Sequence, residues 1–345
     1  MAKLPTHADI AKVAGVSQAT VSLALQAHPR IPPTTQQRIQ AIARKIGYRP
    51  NPMLSALAAY RKGNHAPRYQ GTLAWINTWP KPHQLREQYG DYWAGASERC
   101  RELGYQLEEF FLGGPAITCE RLSRILRARG IQGLLLPPQA RSRAHLNFPW
   151  HHFSAITFGY SLARPQLHLV SSAQSRCSVL AIRKLRSYGY RRIGLALSHG
   201  ADERTDHNFT SGYLAEQLRL KSREKIPPLL LEGSRVRDCE ELARWYTRHR
   251  PEVILTHTDE VADWMDELGF GPRDYNLVLL AHEKHARFAG VDQNNHLIGR
   301  TSVDLLSPMI SRNEKGIPRV PLRTLVEGKW VDGPSVRPRI HFAAA

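Results

Sequence analysis

Cysteine is scarce in this 345-residue chain. Cys100, Cys119, Cys177 and Cys239 lie far apart and form no CxxC pair, so neither a disulfide framework nor a zinc module is expected. Long apolar runs are missing too: the longest, such as Leu134–Leu136, cannot span a bilayer. The first residues show no apolar run after the lysine and no small-residue cleavage site, so the expectation is a cytosolic protein with no membrane partner. A P-loop, a GxGxxG at a strand-to-helix turn, an HExxH and a GxSxG elbow are all lacking, which leaves an enzyme without support and no cofactor expected. His282-Glu-Lys-His285 resembles a metal sequence only superficially, because its histidines stand at i and i+3 with no third ligand indicated, and a solvated loop is the better reading. Acidic residues are almost absent from the first 62 positions, where Asp9 alone faces nine lysines and arginines.

That imbalance puts +8 of the formal +18 net charge into less than a fifth of the chain and directs the search for a polyanionic partner to the N-terminus. Thr6 followed three residues later by Asp9 is a capping-box-like start, and Ile10, Ala11, Val13 and Ala14 give a helical apolar face that stops at Gly15. Ser17 can cap a second short helix carrying Ala19, Val21, Ser22 and Leu25. Two short helices joined through a glycine turn have helix-turn-helix spacing, although a plain helical hairpin reads the same way. A third helix enters through Pro32-Pro33-Thr34 and ends at Gly47, with Ile39, Ile42, Ala43 and Ile46 on one face. Asn51 can then cap a further helix with Pro52 at its first position. Residues 51–60 are apolar nearly all round and shorter than the roughly 12 to 15 residues an isolated helix needs, so this helix should fold only against a partner.

His7 to Ser17, Ala19-Thr-Val-Ser22 and Ile39 through Gly47-Tyr48-Arg49-Pro50-Asn51 together resemble the headpiece of the LacI/GalR repressors. The resemblance implies that the second helix enters the major groove of double-stranded operator DNA and that a paired hinge helix wedges a leucine into the minor groove. By position, Gln18, Ala19 and Leu23 then face base edges, Leu23 standing where arginine is frequent. Gln18 can read adenine by a bidentate bond, whereas Ala19 and Leu23 offer apolar contact to a thymine methyl. Ser17, Ser22, Gln26 and Arg30 fall at phosphate or nearby groove positions, and Asn51, Leu54 and Leu57 on the minor-groove hinge, with Leu57 as the wedge and Leu54 where a small residue is usual.

Beyond the basic linker Arg61–Arg68, short apolar runs alternate with helical patterns. Strands are expected at 72–77, 106–111, 133–136, 154–158, 193–197, 229–231, 253–256 and 277–281, with helices at 84–103, 174–188, 237–249 and 259–268, a pattern of parallel sheets flanked by helices. The order resembles the type I periplasmic-binding-protein fold of LacI/GalR sensors, the matching pieces being Arg121 to Pro138, Gly189 to Gly194, Ser211-Gly-Tyr213, Thr258-Asp-Glu260 and Val291 to Leu306. The expected fold is therefore an all-α helix-turn-helix headpiece over residues 1–50, a hinge helix and linker over 51–68, and an α/β two-lobed domain with parallel sheets over 69–340. The resemblance places the first lobe at about 69–164 and 291–316 and the second at about 165–290 and 317–340.

A small-molecule effector, with carbohydrates the first class to consider, should lodge between the lobes at the carboxyl ends of the strands. Loop positions there supply Trp79, Phe158, Tyr160, His199, His257, Asp259 and His282 as candidates, though Trp79 and Tyr160 suit plain core as well as sugar stacking. Where such sensors commonly hold an arginine and an aspartate on sugar hydroxyls, this chain has Phe209 and His282, and only Asp259 matches. Two readings follow: an atypical effector, or a DNA-binding regulator whose sensor has degenerated. A homodimer on a palindromic site is expected, since no C-terminal heptad run points to a tetramer.

Overall fold

The computed structural model describes residues 6–25, 31–46, 69–112, 117–271, 274–282 and 287–339. At the N-terminus, α1 (His7–Ala14), α2 (Gln18–Leu25) and α3 (Pro33–Lys45) close around Ile10, Ala14, Val21, Ala24, Ile39 and Ala43. The start of α1 is fixed as the sequence indicated: the Thr6 backbone N–H donates to the Asp9 carboxylate at 2.7 Å. Its end is set by Gly15, whose φ of 65° is the left-handed conformation a side chain would resist. Ser17 opens α2 by accepting the Thr20 N–H at 3.1 Å.

The remainder alternates strand and helix. In chain order it runs β1 (Gly71–Asn77), α4 (Pro82–Leu103), β2 (Tyr105–Phe111), α5 (Cys119–Ala128), β3 (Gly133–Leu136), β4 (Ala144–His145), β5 (Ser154–Phe158), β6 (Leu162–Arg164), β7 (His168–Ser172), α6 (Gln174–Ser187), β8 (Ile193–Ser198), α7 (His199–Arg204), α8 (Asn208–Gln217) and β9 (Leu229–Leu231). It continues with α9 (Arg235–His249), β10 (Val253–Thr256), α10 (Glu260–Glu267), β11 (Leu277–Leu279), β12 (Ala289–Asp292), α11 (Asn295–Ser311), β13 (Arg323–Val326) and β14 (Lys329–Val331). Lobe 1 holds the sheet β13-β7-β5-β3-β1-β2 and lobe 2 the sheet β14-β12-β11-β10-β8-β9, with β4 and β6 pairing apart. Every pairing in the two large sheets is parallel except β12 with β14.

Burial on both faces explains why the central strands are continuous apolar runs. In β1, Leu73 and Trp75 pack beneath α4 and α11, whereas Ala74 and Ile76 face α5 with Leu122, Leu126 and Phe153. In β10, Val253 and Leu255 meet the layer of α6 and α8, and Ile254 meets that of α9 and α10.

The lobe boundaries differ from those expected. β7 and β13 belong to the sheet of lobe 1, and β12 to that of lobe 2, so the chain changes lobes near Ala173, near residues 293–294 and near residues 327–328. The expected borders at 164/165, 290/291 and 316/317 fell short because β7, β12, β13 and β14 carry polar or small residues that do not read as strands. Two bonds tie the crossings together: the Ala173 N–H donates to the Val326 carbonyl at 2.8 Å, and Asn294 Nδ2 donates to the Glu327 carbonyl at 2.7 Å. Beside two of them, helix meets helix through glycine. A Cβ at Gly95 of α4 would lie 1.9 Å from the His296 carbonyl oxygen in the first turn of α11, and one at Gly212 of α8 would lie 2.1 Å from that of Ser175 in the first turn of α6.

Candidate functional site

Two surfaces follow from this scaffold. In the headpiece, Ser17, Gln18 and Ala19 are exposed at the start of α2, and Ser22 and Leu23 are partly buried a turn later, while Val21 and Ala24 face inward. The helix thus turns Val21 and Ala24 towards α1 and α3 and its N-terminal turn outward. Gln26, Arg30, Asn51, Leu54 and Leu57 lie outside the described residues, as do the hinge and residues 283–286 of the sequence around His282.

The second surface is a cleft of about 630 Å³ between the lobes, built from the carboxyl ends of their strands. Of the sequence candidates, Tyr160, Phe209, His257 and Asp259 line it. Asp259 is exposed at the start of α10, and Phe209 shows only an edge, being otherwise part of the lobe 2 core. The other four sit elsewhere. Phe158 is fully buried and Trp79 nearly so, both within the lobe 1 core. A kink at Tyr89 (φ −130°, ψ 30°) instead brings Tyr89 and Tyr92 to the cleft. Trp79 stands edge-on behind Tyr89 with centroids 6.1 Å apart, and Phe158 stacks behind Tyr92 at 5.4 Å. The Trp79 indole is fixed by donating to the Pro138 carbonyl at 2.8 Å. His199 lies outside the cleft, 3.7 Å from Glu232. His282 is buried away from it, its ring Nε2 at 3.0 Å from the Phe288 carbonyl and its N–H donating to the Val291 carbonyl at 2.9 Å, so it packs on the start of β12.

The residues that sequence reasoning missed are polar. Gln174 and Asn295 are the first residues of α6 and α11, just past two of the lobe crossings, and both line the cleft. Gln174 Oε1, Asn295 Oδ1 and His257 Nδ1 are shielded from solvent and have no hydrogen-bond partner among the described residues. Such groups cost about 1 to 3 kcal/mol each when left unsatisfied, and these three are the buried side-chain atoms of the cleft with hydrogen-bonding capacity to spare among the described residues. Burial, reinforced by the Arg204 charge, holds the His257 imidazole down to about 4, so the ring is uncharged at neutral pH.

The lobes are drawn together over this cleft. Arg204, at the end of α7 in lobe 2, donates to the carbonyls of Gln139 at 2.7 Å and Ala140 at 3.1 Å and to the Tyr89 hydroxyl at 3.0 Å. Ser142 Oγ donates to the Glu203 carboxylate at 2.9 Å, and Arg323 stands 3.8 Å from Asp206. Glu203, Arg204 and Asp206 thus form a clasp on one short stretch of lobe 2.

Comparison with known proteins bears on both surfaces. Residues 6–51 match the model of the bacterial regulatory proteins of the lacI family. Over these residues the headpiece is similar to the lacI family of regulatory proteins. Over 198 residues the chain is 28% identical to the HTH-type transcriptional regulator PtxS of Pseudomonas plecoglossicida, covering 57% of this chain and 54% of that one. The chain therefore spans about half the length of this curated relative. Among solved structures it resembles the transcriptional regulator CelR in complex with cellobiose (18% identity, 97% of this chain and 99% of that one, TM-score 0.56). It also resembles the lac repressor dimer bound to operator and the anti-inducer ONPF (18% identity, 96% and 99%, TM-score 0.53). Likeness at this level shows the fold: a helical headpiece followed by an α/β domain with two parallel-stranded lobes. No helix among the described residues is long and apolar enough to cross a membrane.

Proposed function

We propose that this chain is a cytosolic, non-enzymatic transcription regulator that binds a palindromic operator as a homodimer and is controlled by a small hydrogen-bonding effector in the interlobe cleft. The likeness of the headpiece to the lacI family supports the DNA half of this reading, in which Gln18 and Ala19, exposed at the tip of α2, and Leu23 beside them read base edges, and Ser17 and Ser22 contact phosphates. Dimerisation is supported by an apolar strip along the β13 edge of lobe 1, where Val320 is 70% and Leu322 65% exposed next to Ile317 and Leu325; a second copy would cover it.

The observation that carries the effector half is the set of unpartnered polar atoms of Gln174, His257 and Asn295 inside a clasped cleft. These three atoms face the same cleft and leave hydrogen-bonding capacity there for an effector. A carbohydrate fits this surface, because hydroxyls can satisfy amide and imidazole groups while Tyr89 and Tyr92 cover an apolar ring face. Titration calorimetry with neutral mono- and disaccharides, cellobiose included, tests it. One sugar should bind the parent, bind Asn295→Leu about tenfold more weakly, and change operator affinity. If none binds, the carbohydrate assignment fails; if selection from random duplexes returns no dyad-symmetric site, the operator reading fails.

A further inference from the structure

Lobe 1 has a second concavity at the opposite end of its sheet from the cleft. The turns leading into β3 and β5 and the segment after α11 enclose about 240 Å³, lined by Arg127, Gly130, Ile131, Gln132, His151, His152 and Lys315. Four of these seven residues are cationic or can become so, and no carboxylate is among them. They arrive on three separate segments: Arg127 in the last turn of α5, the two histidines in the single turn Trp150–His152, and Lys315 after α11. The histidine rings lie 3.9 Å apart between centroids. The carbonyl end of α5 accounts for Arg127, since helix C-termini attract cations, but not for the other three. The adjacent acid, Glu314, is not part of the lining and is paired with Arg312, its two oxygens accepting at 2.7 and 3.0 Å.

Crowding like charges in a hollow is unfavourable unless an anion completes it. The His152 imidazole registers the crowding: burial first, then Arg127, His151 and Lys315, push it below its ordinary value. The concavity is large enough for a phosphate with a small substituent, and donors on three sides suit a tetrahedral oxyanion. We propose that this pocket binds a phosphate group carried by a small molecule, separately from the effector cleft. The same chemistry has a second source in the DNA backbone, because the chain enters lobe 1 from the headpiece at Gly71, at this same end of the sheet.

The test is titration of the full chain, labelled at histidine, with inorganic pyrophosphate, followed by imidazole resonances assigned through His151→Gln and His152→Gln. Saturable shifts at both histidines are expected, with the His152 titration midpoint rising by about one unit. In the double variant Arg127→Gln/Lys315→Gln, pyrophosphate binding should weaken by about tenfold while affinity for a duplex cut to operator length stays unchanged. A parallel arm compares operator duplexes with and without flanking sequence. If the double variant loses affinity for the flanked duplex alone, the phosphate is the DNA backbone's. Pyrophosphate shifts that persist undiminished in the double variant, or an absence of both shifts and flank dependence, would overturn the site.

Discussion

Gln18 is the one polar base-reading side chain proposed in the headpiece, set on a helix whose other outward residues near it are alanine and serine. Gln18→Ala should therefore relax preference at one base pair per half-site, by about 1 to 3 kcal/mol, and leave the remaining positions as they were; a binding profile over all single-base operator variants measures this. His257 gives a pH prediction. Its imidazole is held at about 4 in the folded protein against an ordinary value of about 6.5, so the unfolded chain binds the additional proton between these limits. The stability that neutral His257 contributes is present above about pH 6.5 and is lost as pH falls towards about 4. Urea midpoints of the parent should accordingly drop more steeply across this window than those of His257→Asn. Equal slopes would mean that the ring titrates normally. The cap at the start of α1 was legible in the sequence because it is local: Asp9 reaches back to Thr6, three residues away. Gln174 and Asn295 were not, because polar residues at a helix start look like caps until the fold sets them beside a common cavity.

At the scale of elements, the same lesson has a packing form. The buried runs Gly133–Leu136 and Val253–Thr256 announced themselves as strands because both faces are covered, whereas β13 and β14 lie at sheet edges with exposed or half-exposed residues and escaped notice. Trp79 and Phe158 drew attention as aromatics near strand ends, yet the kink at Tyr89, which no local pattern discloses, interposes Tyr89 and Tyr92. Helix contacts through Gly95 and Gly212 were equally silent. The atoms that an added Cβ would strike there are backbone, which cannot rotate aside. Gly95→Ala should destabilise lobe 1 by about 1 to 3 kcal/mol, and Gly212→Ala lobe 2 by a similar amount. Gly90→Ala in the same helix as Gly95 meets nothing within 4 Å and is the control that should not destabilise. Urea unfolding of the three variants decides the matter.

For the whole molecule, the clasp at Glu203, Arg204 and Asp206 sets how the lobes stand. Arg204→Ala removes three hydrogen bonds between them. Small-angle scattering of the ligand-free variant should show a larger radius of gyration than the parent, and operator affinity should shift if lobe spacing controls the headpieces. An unchanged radius would mean that the crossings alone fix the closed form. The three crossings also bear on how the chain is made. Lobe 1 has five of its six large-sheet strands by Ser172, but α11, which covers Leu73, Trp75, Ile156 and Phe158, ends only at Ser311, after the strands β8 to β12 of lobe 2. On a ribosome adding about 5 to 20 residues per second, that delay is on the order of ten seconds. Throughout it the nascent first lobe carries an apolar face covered by α4 alone, and the second lobe must emerge and fold as an insertion within an unfinished neighbour.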